Sequence, residues 1–557
     1  WENVKKISLG IMGSSRISRP VSYLSFAANY YFGGLDVFGY HVVNFFIHFL
    51  AASFLFLFIS NTLRLPLLRD RYAKHAASIA LLASLLWAIN PVQVTAVTYI
   101  VQRMASMVAL FYIMAMYFYL KFRTADITAK AVIYLILALV CAFLAIGTKE
   151  NAAMLPLAVL LYDLFFLQGL TRENIKKNVK ILIIPVALLL FAGLLFYDFS
   201  AIAEDYKLRP FTMTERLLTE PRVILFYISL LFYPLTSRLT LIHDFAVSKG
   251  IFDPWTTAPA ILAIAVIIIF CLIRAKKWPL FAYCMIFFFL NHFIEGSFLS
   301  LEIIFEHRNY LPSMLLFVPP AVLLVRALEY FYRKKIIFYS LTVMTTALLV
   351  ILAVSVYIQN DIMKNEISLW SDNVEKSPRL HHPRQSLAVA LFIAGRLPEA
   401  RQELERALNS YESGLIVKKN LTYGCLGEYY FVTGDDRKAF DYLSKSVNLY
   451  PPYSYVPLSF DRMAIILMRE GALQKAEEMA LKAISLKPQE AHFHLTYSEI
   501  LLKKGQPEAA IKAALQALKA NPSLVDAYKY IADAFALKKN SLAEDHFRKL
   551  SKKAIGL

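Results

Sequence analysis

Long apolar stretches alternate with short polar connections over the first 357 residues of the chain. A helix of about 17 to 25 predominantly apolar residues crosses the hydrocarbon core of a bilayer. Ten runs of about that length predict membrane-spanning helices, near residues 41–60, 77–95, 102–121, 130–147, 151–168, 179–198, 256–275, 278–294, 311–332 and 335–357. A shorter apolar stretch, 221–235, contains Pro234, and we expect it to form a re-entrant or interfacial helix.

A repeat appears after residue 358, where the chain becomes charged, rich in alanine and helical in period. Small residues and a proline recur at fixed offsets in three sets: Gly434, Ala439, Ser446 and Pro451; Gly471, Ala476, Ala483 and Pro488; and Gly505, Ala510, Ala517 and Pro522. The last two sets are 34 residues apart, a period that resembles the tetratricopeptide repeat. We expect an α-solenoid with a looser first unit around Gly395 and an irregular closing unit.

Composition indicates a membrane protein, because 58% of the 557 residues are hydrophobic and the mean hydropathy is +0.50. Much of the formal net charge of +18 comes from lysines and arginines in short connections between apolar runs. Cytoplasmic connections of membrane proteins carry such an excess, so the charge does not indicate nucleic-acid binding. The four cysteines are widely spaced and suggest neither a disulfide framework nor a metal site.

The basic connections also predict an orientation. Those near 64–74, 121–123, 172–177, 274–277 and 333–335 are assigned to the cytoplasm. The alternation of spans then puts these segments on the outer side: 1–40, 91–101, 147–151, 199–255, 295–310 and 358–557. The chain begins at Trp1 without a signal peptide, and we expect the natural N-terminus and a first span to lie upstream. Two domains follow, a membrane domain, 1–357, and an outer-side repeat domain, 358–557.

Ionisable side chains near a bilayer point to function because they are costly there. Five groups fall on the predicted outer side: Arg16 and Arg19; His41, Asn44 and His48; Gln102 and Arg103; Lys149, Glu150 and Asn151; and His243 and Asp244 with Glu306, His307, Arg308 and Tyr310. The second group has spacings of three and four, so its members share one helix face. The surplus of cations suits an anionic ligand that carries phosphate, since guanidinium groups bind phosphate bidentately.

Each group also has a structural alternative. Arg103 and Arg308 are long enough to reach lipid head groups. The stripe of His41, Asn44 and His48 fits a helix-packing seam better than a metal site, because no carboxylate accompanies it. Lys149 and Glu150, finally, can neutralise each other.

Several long motifs occur in a fixed order: SRPVSYLSFAANYYFGGLDVFGYHVVNFFIHFL, LLWAINPVQVTAVTYIVQRMASMVALFY, GTKENAAMLPLAVLLYDLFF and FEHRNYLPS, followed by the repeats. Together they resemble the transmembrane and tetratricopeptide-repeat-containing O-mannosyltransferases and their bacterial relatives. The resemblance implies an all-α, GT-C-like polytopic helix bundle followed by a repeat solenoid. Enzymes of that class take a sugar from a polyprenyl-phosphate carrier on the outer or lumenal side. Inversion follows when a carboxylate deprotonates the acceptor hydroxyl while cations stabilise the departing lipid phosphate.

Site residues carried over by this resemblance have three expected roles. Three carboxylates are candidate catalytic acids: Glu150, Asp244 and Glu306. The principal acid of the family lies in the first outer loop, which we expect upstream of Trp1. Five side chains are expected to bind the donor phosphate: Arg19, Arg103, Lys149, His307 and Arg308. Five others are expected to line the cavity: His41, Asn44, His48, His243 and Tyr310. We assign no metal ligand, and dependence on a divalent metal stays open.

The expected function is O-glycosylation of a protein acceptor, with mannose one candidate sugar and the repeats presenting the acceptor or an envelope partner. One alternative keeps the lipid donor but transfers to a glycan or lipid in envelope polysaccharide assembly. Another is a non-catalytic membrane scaffold, in which the repeats serve as a spacer or a dimerisation arm. The expected location is the bacterial inner membrane with the repeats in the periplasm, or the endoplasmic reticulum with the repeats in the lumen.

Overall fold

The structure is a computed structural model that describes residues 19–181, 183, 199–207, 209–411, 419–449 and 456–555. The chain divides into two compact units, Trp1–Ser377 and Pro378–Leu557. Within the described ranges the chain forms helices joined by turns and contains no β-strand. The all-α prediction is therefore confirmed.

The first unit contains α-helices of 5 to 28 residues. Their bounds are α1 Pro20–Gly33, α2 Val37–Thr62, α3 Pro66–Tyr72, α4 Ala76–Ala88, α5 Val94–Thr98, α6 Arg103–Arg123, α7 Thr128–Ile146, α8 Leu155–Asp163, α9 Phe199–Lys207, α10 Met213–Phe232, α11 Thr257–Arg274, α12 Pro279–His292, α13 Val318–Tyr330, α14 Lys335–Ile362 and α15 Glu366–Lys376. Short 3-10 helices lie at Glu150–Met154, Glu306–Asn309 and Pro312–Leu315.

Seven helical stretches of the described chain are long and apolar enough to cross a membrane: Val37–Thr62, Ile100–Arg123, Thr128–Ile146, Glu150–Gln168, Thr257–Arg274, Pro312–Tyr330 and Lys335–Ile362. An eighth is obtained if Pro66–Ala88 and Pro91–Thr98, bent by 53°, form one broken span. These eight coincide with predicted spans. Of the other two, 179–198 lies almost wholly outside the described residues, and 278–294 corresponds to α12, whose 14 residues are shorter than a bilayer requires.

The core of the first unit combines small residues with aromatic side chains. Ala51, Ala80 and Ala109 are fully buried, which lets neighbouring helices approach closely. Buried phenol groups have partners: Tyr162 Oη lies 2.8 Å from Thr62 Oγ1, and Tyr283 Oη donates to the Ala158 carbonyl at 3.0 Å. Such internal hydrogen bonds are needed where no water is present.

Helix α10 begins earlier than the apolar pattern of 221–235 predicts. Thr212 caps it, because Thr212 Oγ1 accepts from the Glu215 amide at 3.2 Å and the Thr212 amide donates to Glu215 Oε2 at 2.7 Å. The helix therefore includes Arg216 and Glu220, both buried. Its assignment as a re-entrant or interfacial helix stays a prediction.

Helix α15 follows the last long apolar helix and packs within the first unit. Asn373 Oδ1 accepts from Thr240 Oγ1 at 2.9 Å and from the Ile242 amide at 3.0 Å. Lys376 Nζ donates to the Leu239 carbonyl at 2.8 Å. The contact boundary between the units therefore falls after this helix, at Ser377.

The second unit consists of helix pairs. Their bounds are α16 His381–Ile393 and α17 Leu397–Leu408, α18 Lys419–Val432 and α19 Asp436–Asn448, α20 Val456–Arg469 and α21 Leu473–Leu486, α22 Ala491–Lys503 and α23 Pro507–Ala520, and α24 Val525–Leu537 and α25 Ser541–Ile555. The turns within the first four pairs each hold a glycine at positive φ: Gly395, Gly434, Gly471 and Gly505. The repeat alanines are fully buried, including Ala476, Ala483, Ala510 and Ala517.

Candidate functional site

The turn at 147–151 is joined to the start of α1. The Val21 amide donates to the Gly147 carbonyl at 3.0 Å, and a side chain at Gly147 would meet Val21 Cγ2 at 2.7 Å. Arg19 then pairs bidentately with Glu150, with Nε–Oε1 at 2.9 Å and Nη2–Oε2 at 2.8 Å. The Glu150 side chain is 53% exposed and accessible to a ligand.

Lys149 pairs not with its neighbour Glu150 but with Glu295, which lies in the connection after α12. Both side chains are buried. Burial raises the pKa of Glu295, but the charges of Lys149 and Arg308 outweigh it and lower the pKa to about 2. Sequence reasoning missed Glu295, and the signal available was a carboxylate at the end of an apolar run.

Arg216 organises the same connection from within α10. It is fully buried and donates to four carbonyl oxygens: those of Glu295 at 2.5 Å, Ser297 at 3.2 Å, Leu301 at 2.6 Å and Glu302 at 2.9 Å. It also pairs with Glu220 Oε1 at 2.8 Å. Burial raises the pKa of Glu220 to about 7, although Arg216 acts in the opposite direction.

Both Arg216 and Glu220 were missed by sequence reasoning. Their spacing of four on one face of an apolar helix was the signal that could have found them. The position of Gly296 supports their placement, because Glu220 Oε2 lies 3.4 Å from where a side chain would begin at that glycine.

Arg308 and His307 follow this connection in a 3-10 turn and are both buried. Arg308 Nη1 donates to the Glu302 carbonyl at 2.7 Å and the Ile303 carbonyl at 3.2 Å. Its guanidinium group and the His307 ring both contact the Phe305 ring, with centroid distances of 5.4 and 5.2 Å. Arg308 thus bonds carbonyl oxygens rather than a carboxylate among the described residues.

His307 Nδ1 is buried and has no hydrogen-bond partner in the described part of the chain. Burial lowers the pKa of His307 well below its usual value, and the charges of Lys149 and Arg308 lower it further. Glu295 opposes this effect without reversing it. The imidazole is therefore neutral at pH 7 and can donate from one nitrogen while accepting at the other.

These contacts define one ion cluster, which we name by its members: Arg19, Lys149, Glu150, Arg216, Glu220, Glu295, His307 and Arg308. Electrostatic interactions connect the pairs. The charges of Arg19 and Lys149 help to lower the pKa of His307, and the charge of Arg308 acts on Arg216. Such a cluster can bind an anion at Arg308 and His307, and at Lys149 or Arg19 if the anion displaces a carboxylate.

Glu306 belongs to a second network of hydrogen bonds. It accepts from Thr95 Oγ1 at 3.2 Å and the Thr240 amide at 2.8 Å, and pairs with His243 Nε2 at 3.0 Å. The structure thus brings together His243 and Glu306, which the sequence analysis placed in one group. Glu306 is buried with both oxygens engaged, and Asp244 beside His243 is half-buried with contacts of its own.

Arg103 lies outside the ion cluster as defined, where α1, α2 and α6 meet, and is fully buried. It donates to Asn44 Oδ1 at 2.5 Å, Asn29 Oδ1 at 2.6 Å and the Tyr40 carbonyl at 3.1 Å, and lies over the Phe26 ring at 4.7 Å. Its donors are thus used within the protein, so binding a phosphate would require rearrangement.

Of the five residues predicted to line a cavity, two line a cleft, one contacts the wall of that cleft, and two form hydrogen bonds elsewhere. His41 and His48 line a cleft of about 1090 Å³. Tyr310 contacts its wall, because Tyr310 Oη lies 2.7 Å from His48 Nδ1, whereas Asn44 bonds Arg103 and His243 bonds Glu306. The described residues contain no group of three or more histidine, cysteine or acidic side chains placed to hold a metal ion.

Fold and site together define a polytopic helical membrane protein with a connected ion cluster and a repeat array. The tetratricopeptide repeat family matches residues 491–524, the pair α22 and α23. Among curated proteins the chain is similar to human protein O-mannosyl-transferase TMTC2, at 29% identity over 188 residues, or 32% of this chain and 21% of that protein. The Xenopus laevis counterpart is 29% identical over 175 residues, 30% of this chain and 20% of that protein.

The alignment thus spans about a fifth of the length of the curated relatives. These similarities support the resemblance that the sequence motifs indicate. Solved structures with similarity include YrrB, described as a TPR protein with an unusual peptide-binding site, at 16% identity and a TM-score of 0.28, covering 33% of this chain and 91% of that one. Pseudomonas aeruginosa pilF matches at 14% identity and a TM-score of 0.30, covering 35% and 86%.

Proposed function

We propose that this protein is an integral-membrane glycosyltransferase of the GT-C type, which moves a sugar with inversion from a polyprenyl-phosphate donor to a hydroxyl group of a protein acceptor. The ion cluster is the observation that carries the proposal. Its cations come from helix ends and connections predicted on the outer side, and among the described residues the hydrogen bonds of Arg308 go to carbonyl oxygens rather than to a carboxylate. A lipid phosphate at the membrane surface is the anion such a cluster suits.

In this proposal the phosphate binds at Arg308 and His307, and Lys149 and Arg19 approach it as their carboxylate partners move aside. The acceptor oxygen attacks the anomeric carbon from the face opposite the phosphate. The bond between that carbon and the phosphate oxygen breaks, and the electron pair leaves with the lipid phosphate. Cations placed where negative charge develops lower the barrier of such a step.

The proton of the acceptor hydroxyl must pass to a base as the new bond forms. Among the candidate acids of the described chain, Glu150 is the most accessible, because its side chain is 53% exposed while Glu306 is buried between two threonines and a histidine. Its pairing with Arg19 orients Glu150 before the donor binds, and the move of Arg19 to the phosphate leaves the carboxylate available to accept the proton. We assign Glu150 this role, with Asp244 and Glu306 as lesser candidates.

The repeat unit supplies the acceptor side of the proposal. Stacked helix pairs present an extended concave surface, which arrays of this kind use to bind proteins. We propose that the unit recruits or presents the protein acceptor on the outer side of the membrane. The bacterial inner membrane with a periplasmic repeat unit is the location that the compact connections favour.

A reconstituted assay tests this function. Proteoliposomes containing the protein receive a polyprenyl-phosphate mannose and a peptide rich in serine and threonine, and mass spectrometry follows the peptide. We expect a peptide heavier by one hexose per modified hydroxyl. Transfer only to a glycan or lipid would overturn the choice of acceptor. No transfer with any polyprenyl-phosphate sugar would contradict the proposed activity.

A further inference from the structure

A basic surface lies where several membrane-length helical stretches of the first unit begin or end. Pro66–Ala88 and Lys335–Ile362 begin there, and Thr257–Arg274 and Pro312–Tyr330 end there. We define the basic surface by nine exposed cations from three segments: Arg69, Arg71 and Lys74; Arg274, Lys276 and Lys277; and Arg333, Lys334 and Lys335. The proposed function assigns no role to this surface, which is predicted on the side of the membrane opposite to the ion cluster.

Two contacts join the three segments, although the segments are far apart in sequence. Arg71 Nη1 donates to the Lys277 carbonyl at 3.2 Å, across 206 positions. Lys74 Nζ lies 2.5 Å from Glu329 Oε1 in the last turn of α13, directly before the third segment. His75 Nε2 lies 3.0 Å from the same oxygen. The cations therefore form one surface rather than three independent connections.

Few carboxylates accompany these cations. Arg69 lies 3.5 Å from the exposed Asp70, and Lys74 pairs with Glu329. The other seven cations of the basic surface form no ion pair with any residue that the structure describes. In the predicted cytoplasmic connection at 121–123, by contrast, Arg123 pairs with the buried Asp163. A surface of one charge sign attracts ligands of the opposite sign, so the basic surface suits an anion from outside the protein.

Exposed aromatic rings lie beneath several of these cations. Arg274 Cζ and Lys277 Nζ lie 5.8 and 5.9 Å from the centre of the Trp278 ring, and Lys335 Nζ lies 4.5 Å from the centre of the Tyr332 ring. Tryptophan and tyrosine are enriched at the depth of lipid head groups. A ring attracts a cation but supplies no oxygen acceptor, so N–H groups remain for phosphate oxygens. The basic surface thus combines an interfacial position with donors for phosphate.

We propose that the basic surface binds the head group of an anionic phospholipid of the surrounding membrane, and that a head group with two phosphates binds best. Basic pockets between transmembrane helices on the cytoplasmic side bind lipids of this kind. Because Arg71 reaches the segment at 274–277, one head group can contact cations of both segments. The inference does not depend on the proposed sugar transfer and requires only that the first unit spans a membrane.

Binding of a fluorescent cardiolipin, a lipid with two phosphates, to the purified protein in detergent tests the proposal. Two triple variants remove equal charge from exposed side chains of predicted cytoplasmic connections, the second as the matched control: Arg274→Gln, Lys276→Gln and Lys277→Gln; and Arg172→Gln, Lys176→Gln and Lys177→Gln. We expect the first to weaken binding about tenfold or more and the control to stay within about twofold of wild type. Raising the salt from about 0.1 M to about 1 M should also weaken binding to wild type.

Competition by unlabelled lipids in wild-type protein identifies the ligand and does not depend on the folding of a variant. Competition should decrease from cardiolipin through phosphatidylglycerol to phosphatidylcholine. Free pyrophosphate should compete weakly, because it lacks the acyl chains that place a head group at the membrane surface. Equal loss of binding in both triple variants, or equal competition by phosphatidylcholine, would overturn the proposal. Displacement by pyrophosphate as effective as that by cardiolipin would overturn the choice of a lipid.

Discussion

Lys149 and Glu295 form a buried ion pair that joins the turn after α7 to the connection after α12. Lys149 does not pair with its sequence neighbour Glu150, because Glu150 pairs with Arg19 instead. Two carboxylates thus hold two cations of the proposed phosphate site in place. These two ion pairs stabilise the turn at 147–151 and the connection after α12. They also determine the net charge at the proposed phosphate site.

Removing one partner of this pair should destabilise the protein strongly. Glu295→Gln leaves Lys149 buried without its counter-charge, and we expect a loss of about 3 kcal/mol in the free energy of unfolding. Thermal melting of the purified protein in detergent measures it. The double variant Lys149→Met with Glu295→Met should regain most of the loss.

Glu329→Gln is the control, because its pair with Lys74 is exposed and contributes little. Equal losses in Glu295→Gln and Glu329→Gln would show that burial does not make the Lys149–Glu295 pair important for stability.

Arg216 should control the order of the connection at 295–302. Arg216→Met removes the donors to four carbonyl oxygens, so amide hydrogen exchange in that segment should become faster by about tenfold or more. Arg209→Met is the comparison, since Arg209 also binds this connection, at Ser300 and Glu302, but from its edge. Exchange that is unchanged in Arg216→Met would show that other contacts hold the segment.

Stability should fall below pH 6.5 because of His307. The pKa of His307 is about 6.5 in the unfolded chain and lies well below that value in the folded protein, so acid protonates the unfolded state first. The stability that the neutral imidazole contributes is complete above about pH 6.5 and is lost as the pH falls, by up to about 2 kcal/mol at pH 5.

Melting temperatures between pH 5 and 8 check this sign. His307→Asn should show a shallower decline on the acid side than wild type. His546→Asn, at an exposed histidine of α25, should follow wild type. Parallel curves for wild type and His307→Asn would mean that the imidazole does not contribute.

Deleting the repeat unit should separate acceptor use from donor chemistry. A chain that ends at Ser377 keeps α15 and its contacts with Thr240 and Ile242. We expect it to hydrolyse donor within about twofold of wild type and to modify a protein acceptor at least about tenfold more slowly. Rates of both reactions in proteoliposomes are the measurement.

A shorter chain that ends at Asn365 is the informative comparison. It lacks α15, and therefore the contact through Asn373 to Thr240, whose amide binds Glu306. Donor hydrolysis should fall in this chain as well. If ending the chain at Ser377 reduced both reactions equally, the repeats would be structural rather than a recruiting surface.

Much of this architecture follows from local pattern. The apolar runs of residues 41–60 and 335–357 predict α2 and α14 because length and hydropathy alone decide a span. The recurrence of Gly471 and Gly505 predicts the repeats because each glycine must end a helix at positive φ. Such signals are contained within one segment and need no knowledge of tertiary contacts.

The site was less predictable because its partners are far apart in sequence. Lys149 pairs with a residue 146 positions away, and the four carbonyl acceptors of Arg216 lie 79 to 86 positions away. The sequence pattern identified Arg103 as a cation near the membrane. It did not identify the four oxygen acceptors in α1 and α2 to which Arg103 donates. His243 and Glu306 could be grouped because both were assigned to one side of the membrane.

Sugar transfer by Arg308→Ala, compared with wild type and with Arg326→Ala, tests whether the ion cluster binds the donor phosphate. Arg326 is the matched control, because it also lies over an aromatic ring and donates to a carbonyl, but it contacts Tyr72 and Arg71 outside the ion cluster. With polyprenyl-phosphate mannose as donor, and at a temperature at which both variants are folded, we predict that kcat/KM falls about 100-fold or more in Arg308→Ala and is unchanged in Arg326→Ala. Turnover by Arg308→Ala equal to that of wild type would contradict the assignment of the ion cluster as the phosphate site.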